Sequence, residues 1–315
     1  LSTNKAGDKL HVQSMIEQHK NKGMKKFVEK LMPKLLFITA LVSVLATIGI
    51  VFTLIFETFE FFRRVPFFDY ILGTEWLPFS GTSPSYGVLP LIIGTLKVTG
   101  IAIVVAVPLG LAAAIYLSEY ASDNVRRVVK PILEVLAGVP TIVYGFFALT
   151  FVTPLLQEVI PGLKIFNAIS PGIVVGIMIL PTIASLSEDA MSSVPRSMRE
   201  GALALGSTKL EVALKVVLPA ALSGILASVV LGISRAIGET MIVSLAGGST
   251  PKFDGEITDS IQTMTAYIVQ VSTGDAGYGT TIYYSIYAVG FTLFIFTLLM
   301  NLLAGYISKK FREEY

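Results

Sequence analysis

The 315-residue chain carries 15% charged and 53% hydrophobic residues, with a mean hydropathy of +0.72. A soluble domain holds about a quarter charged residues, so this composition excludes an ordinary soluble protein and points to an all-α integral membrane protein of several spans. Cysteine is absent and the two histidines, His11 and His19, sit in the polar N-terminal segment, so disulfide and thiolate chemistry are excluded and a buried histidine metal site is not expected.

Residues 1–34 form a lysine-rich tail ending KNKGMKKFVEKLMPK, with no apolar core of the kind that marks a cleavable signal peptide. The first membrane helix is expected at 35–56. Residues 57–86, dense in aromatic and turn residues, read as a periplasmic loop with Trp76 among its interfacial anchors. Five further spans are expected within 87–307, making a six-helix bundle. The second covers 87–117 and is interrupted by Lys97 and Pro108; SEYASDNVRRVVK then reads as a short loop. The third starts near Pro131, carries Glu134 and ends near 156, and the fourth covers 171–186. A charged amphipathic loop with helical character occupies 187–219. The fifth span, 222–246, and the sixth, 281–307, follow, and 308–315 form a short tail.

Six spans put both termini on one side. Eighteen of the 24 Lys and Arg residues then fall on that side and four on the other, Lys97 and Arg235 lying within spans. Positive charge accumulates in cytoplasmic segments, so both tails are expected in the cytoplasm. No inverted internal repeat is evident, which argues against a secondary-transporter architecture.

The loop REGALALGSTKLEVALKVVLPAALSG places Arg199, Glu200, Gly201 and Ala202 ahead of Gly206, then Leu218 and Pro219 after a second helical piece. Gly206 can supply a turn without Cβ strain, and Leu203, Leu210, Val212 and Leu214 give the loop apolar surface. This pattern is similar to the EAA motif of ABC importer permeases, with Gly201 and Val216 as mild departures. An amphipathic helix lying on the membrane interface is the plainer alternative. The chain has no Gly-Lys pair, so it lacks a Walker A phosphate cradle; an ATP-driven process needs its ATPase on another chain.

The segments YGVLPLIIGTLKVT, AIYLSEYAS, KPILEVLAGVPTIVYGFFAL, GIMILPTIASLSEDA, SRAIGETMIV and TAYIVQVSTGDA together resemble the PstC-type permease subunit of phosphate ABC importers, across roughly 57–307. The resemblance implies a type I importer in the cytoplasmic membrane of a bacterium or archaeon. It also implies a PstA-type sister permease, a PstB-type ATPase dimer and a periplasmic or lipid-anchored phosphate-binding protein. No cofactor is expected on this chain and no nucleic-acid partner; its remaining surroundings are membrane lipid, and ATP is used by the partner.

Four ionisable residues inside spans are candidates for the substrate path. A charge at the centre of a membrane helix costs roughly 2.5–3.5 kcal/mol on insertion scales. Arg235 and Glu239 are spaced i, i+4, so on a continuous helix they share a face with Gly224, Ser228 and Gly232, a stripe that lets another helix approach. Either they form a structural ion pair, or Arg235 offers a planar fork to an oxyanion while Glu239 tempers its hold. Lys97 is either a second positive station or a side chain snorkelling to the outer interface. Glu134 either gates or complements a helix N-terminus. Pro108, Pro140 and Pro181 are expected to bend their spans.

A passive anion channel also explains an intramembrane arginine, but not the cytoplasmic loop pattern. An intramembrane enzyme lacks a recognisable nucleophile–base or metal arrangement. Sulfate, molybdate and phosphonate importers share the loop motif and remain alternatives in substrate.

Overall fold

The computed structural model describes residues 4–310 except 82 and 275, and the expected tail from 311 onward lies outside the described residues. The chain divides into two compact units, Leu1–Phe56 and Glu57–Tyr315.

Helix α1, Asn4–Phe62, accounts for the described part of the first unit. From 35 to 50 every side chain is exposed, including Leu36, Ile38, Val42 and Ile48. A helix that is apolar all round belongs in lipid, and the stretch Lys26–Phe62 is long and apolar enough to span a membrane.

The second unit opens with α2, Phe67–Leu72, and a two-residue antiparallel pair, β1 Trp76–Leu77 and β2 Ser85–Tyr86. Here the sequence expectation needs correction. Trp76 is not an interfacial anchor: it is 2% exposed, inside a cluster with Phe61, Tyr70, Tyr86 and Tyr267. Its ring meets Tyr267 edge-on at 4.8 Å. The cluster folds the aromatic segment onto α3, Leu89–Ile115, α13, Met264–Thr273, and α14, Thr281–Lys310.

A π-turn, Tyr116–Tyr120, closes α3 and leads into α4, Asp123–Gly138. The segment read as a loop before Pro131 is therefore helical. Ser122 caps it by accepting from the Val125 N–H at 3.5 Å, and Pro131 lies inside it. The helix stops at Val139–Pro140, because proline cannot donate to the ladder. The third apolar span is thus Thr141–Val159, built from α5, Thr141–Phe147, a π-turn at Ala148–Val152, and α6, Thr153–Val159.

Helix α7, Ile169–Ser192, is the most buried span and lies along α3. A Cβ at Gly176 would come within 2.9 Å of the Ala102 carbonyl oxygen, so glycine is what permits this approach. After α7 come α8, Arg196–Ala204, α9, Lys209–Val212, a π-turn at Ala213–Val217, and α10, Leu218–Ala220. Helix α11, Leu222–Ile237, follows, bent by 74° from the piece before it. Its small stripe packs on α7 as expected: Gly224 meets Ala190, Ser228 Oγ lies 2.7 Å from Ser187 Oγ, and Gly232 meets Ile183.

The expected fifth span is not continuous to 246. It breaks at Gly238–Thr240 before a short α12, Met241–Ala246. Among the described residues, five helices are long and apolar enough to cross a membrane, or six if the bent pair Lys209–Ala220 and Leu222–Ile237 is one span.

Candidate functional site

The break in the fifth span rewrites the Arg235–Glu239 geometry. Arg235 is in the last turn of α11, where the negative end of the helix dipole favours a cation. Glu239 lies past the helix end, so the two no longer share a helical face, and no ion pair joins them among the described residues. The Glu239 carboxylate, 7% exposed, instead accepts from the N–H groups of Met241 at 3.1 Å and Ile242 at 3.2 Å. It thus satisfies donors that the start of α12 leaves open. Its backbone carbonyl accepts from Thr265 Oγ1 at 2.7 Å, which ties the break to α13.

Arg235 points into the bundle, half-buried, at a junction of three elements. Nη1 donates to Thr182 Oγ1 at 3.1 Å, one residue after Pro181 in α7. Nη2 reaches the Ala137 carbonyl at 3.5 Å, at the C-terminal end of α4. Tyr144 OH donates to the neighbouring Leu136 carbonyl at 2.8 Å. These two side chains therefore satisfy carbonyls released by the Pro140 break, as discontinuous helices in a membrane require. Arginine has five donors, so two contacts leave others for an anion.

Lys97 and Glu134 sit elsewhere. The Lys97 ammonium, half-buried on α3, donates to the Gly255 carbonyl in the loop after α12. Two residues earlier, Thr95 Oγ1 accepts from Met264 N–H at 3.2 Å, so this turn of α3 holds the loop and the start of α13. In the same loop, hydrogen bonding and charge from Lys164, with Lys252 at 3.4 Å, keep the Asp259 carboxyl below its ordinary range. Glu134 is exposed on α4, three turns past the N-cap, so neither a first-turn dipole position nor contact with Arg235 describes it.

The motif residues of the 187–219 loop form a helix–turn–helix. Arg199, Glu200, Gly201 and Ala202 lie on α8, and Gly206, at φ +89°, makes the turn. Thr208 and Glu211 then form a reciprocal capping box on α9, and Leu218 and Pro219 make up α10 with Ala220. Val212 and Val217 are buried while Leu203, Leu205, Leu210 and Leu214 are exposed; Leu205 is 90% exposed. Arg199 anchors the loop: it donates to the Met191 and Val194 carbonyls at 2.7 and 2.5 Å, and pairs with Glu119 at 3.2 Å.

Sequence reasoning missed the charges beneath this loop. Glu188 on α7, 1% exposed, pairs with Lys130 and with Arg126 at 3.6 Å, both on α4, and Lys130 also reaches Asp189 at 3.0 Å. The available signal was the S-x-x-V start after Ser122 and the apolar period of Val125, Val128, Ile132 and Val135, with Arg126 and Lys130 on the opposite face. Among the described residues, no group of three His, Cys, Asp or Glu side chains is placed to hold a metal ion.

A family model described as the binding-protein-dependent transport system inner membrane component matches residues 106–313. The chain is 36% identical over 242 residues to the probable ABC transporter permease protein YqgH of Bacillus subtilis, covering 77% of this chain and 78% of that protein. It is 30% identical over 306 residues to the phosphate transport system permease protein PstC of Haemophilus influenzae, covering 91% and 95%. Among solved structures, a chain of the bacterial alginate ABC transporter in complex with its pentasaccharide-bound periplasmic protein superposes with a TM-score of 0.63 at 16% identity, over 91% of this chain and 98% of that one. A chain of the inward-facing MetNI methionine ABC transporter gives 0.53 at 18% identity, over 72% and 95%. At these identities the structural likeness carries the fold, that of a type I importer permease.

Proposed function

Since this chain belongs to the family of binding-protein-dependent transport system inner membrane components, in its PstC-type branch, we propose that it is the permease subunit of an ATP-driven importer of inorganic phosphate. The observation that carries the substrate is the similarity to permeases named for phosphate transport, near full-length for that of Haemophilus influenzae. In this reading α11 alone is the fifth of six spans, the piece before its 74° bend belongs to the loop, and both termini face the cytoplasm of a bacterial cell. A PstA-type sister permease completes the path and a phosphate-binding protein delivers cargo to the opposite face, where residues 57–86 lie. ATP is hydrolysed by a PstB-type dimer docked on the exposed leucines of α8 and α9, and this chain binds no cofactor.

Phosphate crosses as an anion and needs positive potential in a low-dielectric passage. Arg235 supplies it, permanently charged and with donors to spare beyond Thr182 and Ala137. Glu239 acts by fixing the break next to Arg235, and Lys97 by holding the loop over α3. Glu134, exposed on α4, lies outside the contacts that gather around Arg235.

The test is ATP-driven uptake in proteoliposomes holding this chain with sister permease, ATPase and binding protein. Labelled phosphate is offered against sulfate and molybdate, for wild type and Arg235→Gln. Phosphate-selective uptake lost in the variant, with assembly intact, supports the reading. Normal uptake by the variant removes Arg235 from the path, and preference for another oxyanion overturns the substrate.

A further inference from the structure

We propose that Glu188 is a positioning residue for transport: it fastens α4 to α7 so that movement of the coupling loop reaches Arg235. The proposal rests on the reading of this chain as an ATP-driven permease and adds a mechanical link to it.

The starting observation is that α4 has no buried side chain of its own. Its apolar stripe, Val128, Ile132, Val135 and Leu136, is exposed, so burial of its own side chains does not hold it to the unit. Its polar face does. Arg126 and Lys130 converge on the Glu188 carboxylate, which also accepts from Ser192 Oγ at 2.9 Å. Glu188 is 1% exposed, whereas the Arg126 and Lys130 side chains are 31% and 29% exposed. The acid is therefore the buried partner, and the bases can hydrate if it is neutralised.

Both ends of α4 are tied to functional elements. Near its start, Arg126 donates to the Leu117 carbonyl at 2.7 and 3.2 Å and to Ser118 at 3.3 Å. The next residue, Glu119, holds Arg199 of the coupling helix α8. At its far end, the Ala137 carbonyl takes the Arg235 guanidinium. A 16-residue helix measures about 24 Å, so α4 joins the coupling loop to the candidate path as a single strut. With the Glu188 link in place, a shift of α8 is carried along α4. Without it, the strut slips over α7 and hydrolysis runs without moving Arg235.

The experiment uses the assembled complex with sister permease, ATPase and binding protein, for wild type, the two variants Glu188→Gln and Lys130→Gln, and the conservative control Glu188→Asp. Expected is retained assembly, raised ATP hydrolysis in the absence of cargo, and a rise of about fivefold or more in that cargo-free rate for Glu188→Gln, the scale of an ordinary coupling free energy. ATP consumed per phosphate imported should rise with it. Lys130→Gln should shift the same way but less, since Arg126 still holds the carboxylate, and Glu188→Asp should recover part of the wild-type ratio. Wild-type rates and ratios in both variants overturn the proposal. So does import that falls only in proportion to assembled complex, which is what a purely structural residue gives. If Glu188→Gln fails to assemble, Lys130→Gln decides alone. Cargo-free hydrolysis is read without phosphate, so failure of the wild type to import phosphate sinks the substrate reading and leaves this test standing.

Discussion

Replacing Glu239 separates two roles that predict opposite orders of damage. Its Oε1 accepts from two N–H groups at the start of α12, at 3.1 and 3.2 Å, in a site only 7% exposed. Each buried donor left without a partner costs about 1–3 kcal/mol, so Glu239→Ala should lose roughly 2–6 kcal/mol. Glu239→Gln keeps an oxygen acceptor at the same reach. Bonds to an ionised acceptor are about twice as strong as neutral ones, so the amide should give up only about 1–2 kcal/mol. The assays are thermal unfolding of the purified complex and ATP-driven uptake in proteoliposomes. Glutamine should retain most of both, and alanine should lose both together. If glutamine keeps its stability yet imports nothing, the negative charge itself is required, and the reasoning from capping is refuted in favour of a counter-charge to Arg235.

The other predictions concern the scaffold. Gly94 faces the Gln262 backbone so closely that an added Cβ would sit deep inside the van der Waals distance of that carbonyl; Gly94→Ala should cost about 1–3 kcal/mol or more as overpacking, seen as a lowered unfolding midpoint. Trp76 is the single tryptophan and is buried, so native fluorescence should be that of an apolar site and shift red on unfolding, while Trp76→Ala should cost about 3–5 kcal/mol. Gly206 has φ +89° and open space around its Cβ position, so Gly206→Ala meets backbone strain alone, about 1–2 kcal/mol. That variant should assemble but consume more ATP per phosphate imported, and an unchanged ratio would show that the turn does not shape the docking surface.

What was legible in the sequence follows from how strongly each element depends on its neighbours. Apolar runs reveal spans because lipid acts on composition alone. The turn in the 187–219 loop was legible because it needs Gly206, a local demand of the backbone, whereas the Thr208–Glu211 capping box that starts the next helix went unread. The small stripe on α11 was legible because 3.6-residue periodicity brings Gly224, Ser228 and Gly232 to one face whatever packs there. Breaks were harder. Pro140 marks one locally, but α4 before it reads as loop or span according to whether Pro131 is taken as a start or as an interior residue.

The break after Ile237 has no proline at all. It depends on Glu239 reaching the next helix and on Thr265, 26 residues later, donating its hydroxyl to the Glu239 carbonyl. An i, i+4 pair in an apolar run therefore has two physical solutions. The helix can continue and pair the charges, or it can stop and let each charge satisfy backbone groups. In a medium without water the second solution is favoured wherever chain breaks have already exposed carbonyls and N–H groups, because an ionised side chain bonds them more strongly than a neutral one. Arg235 lies beside the carbonyls freed at Pro140, and Glu239 beside the donors of α12. The same two residues that looked like a salt bridge in sequence thus satisfy the backbone groups of two interrupted helices, Arg235 at the end of α4 and Glu239 at the start of α12.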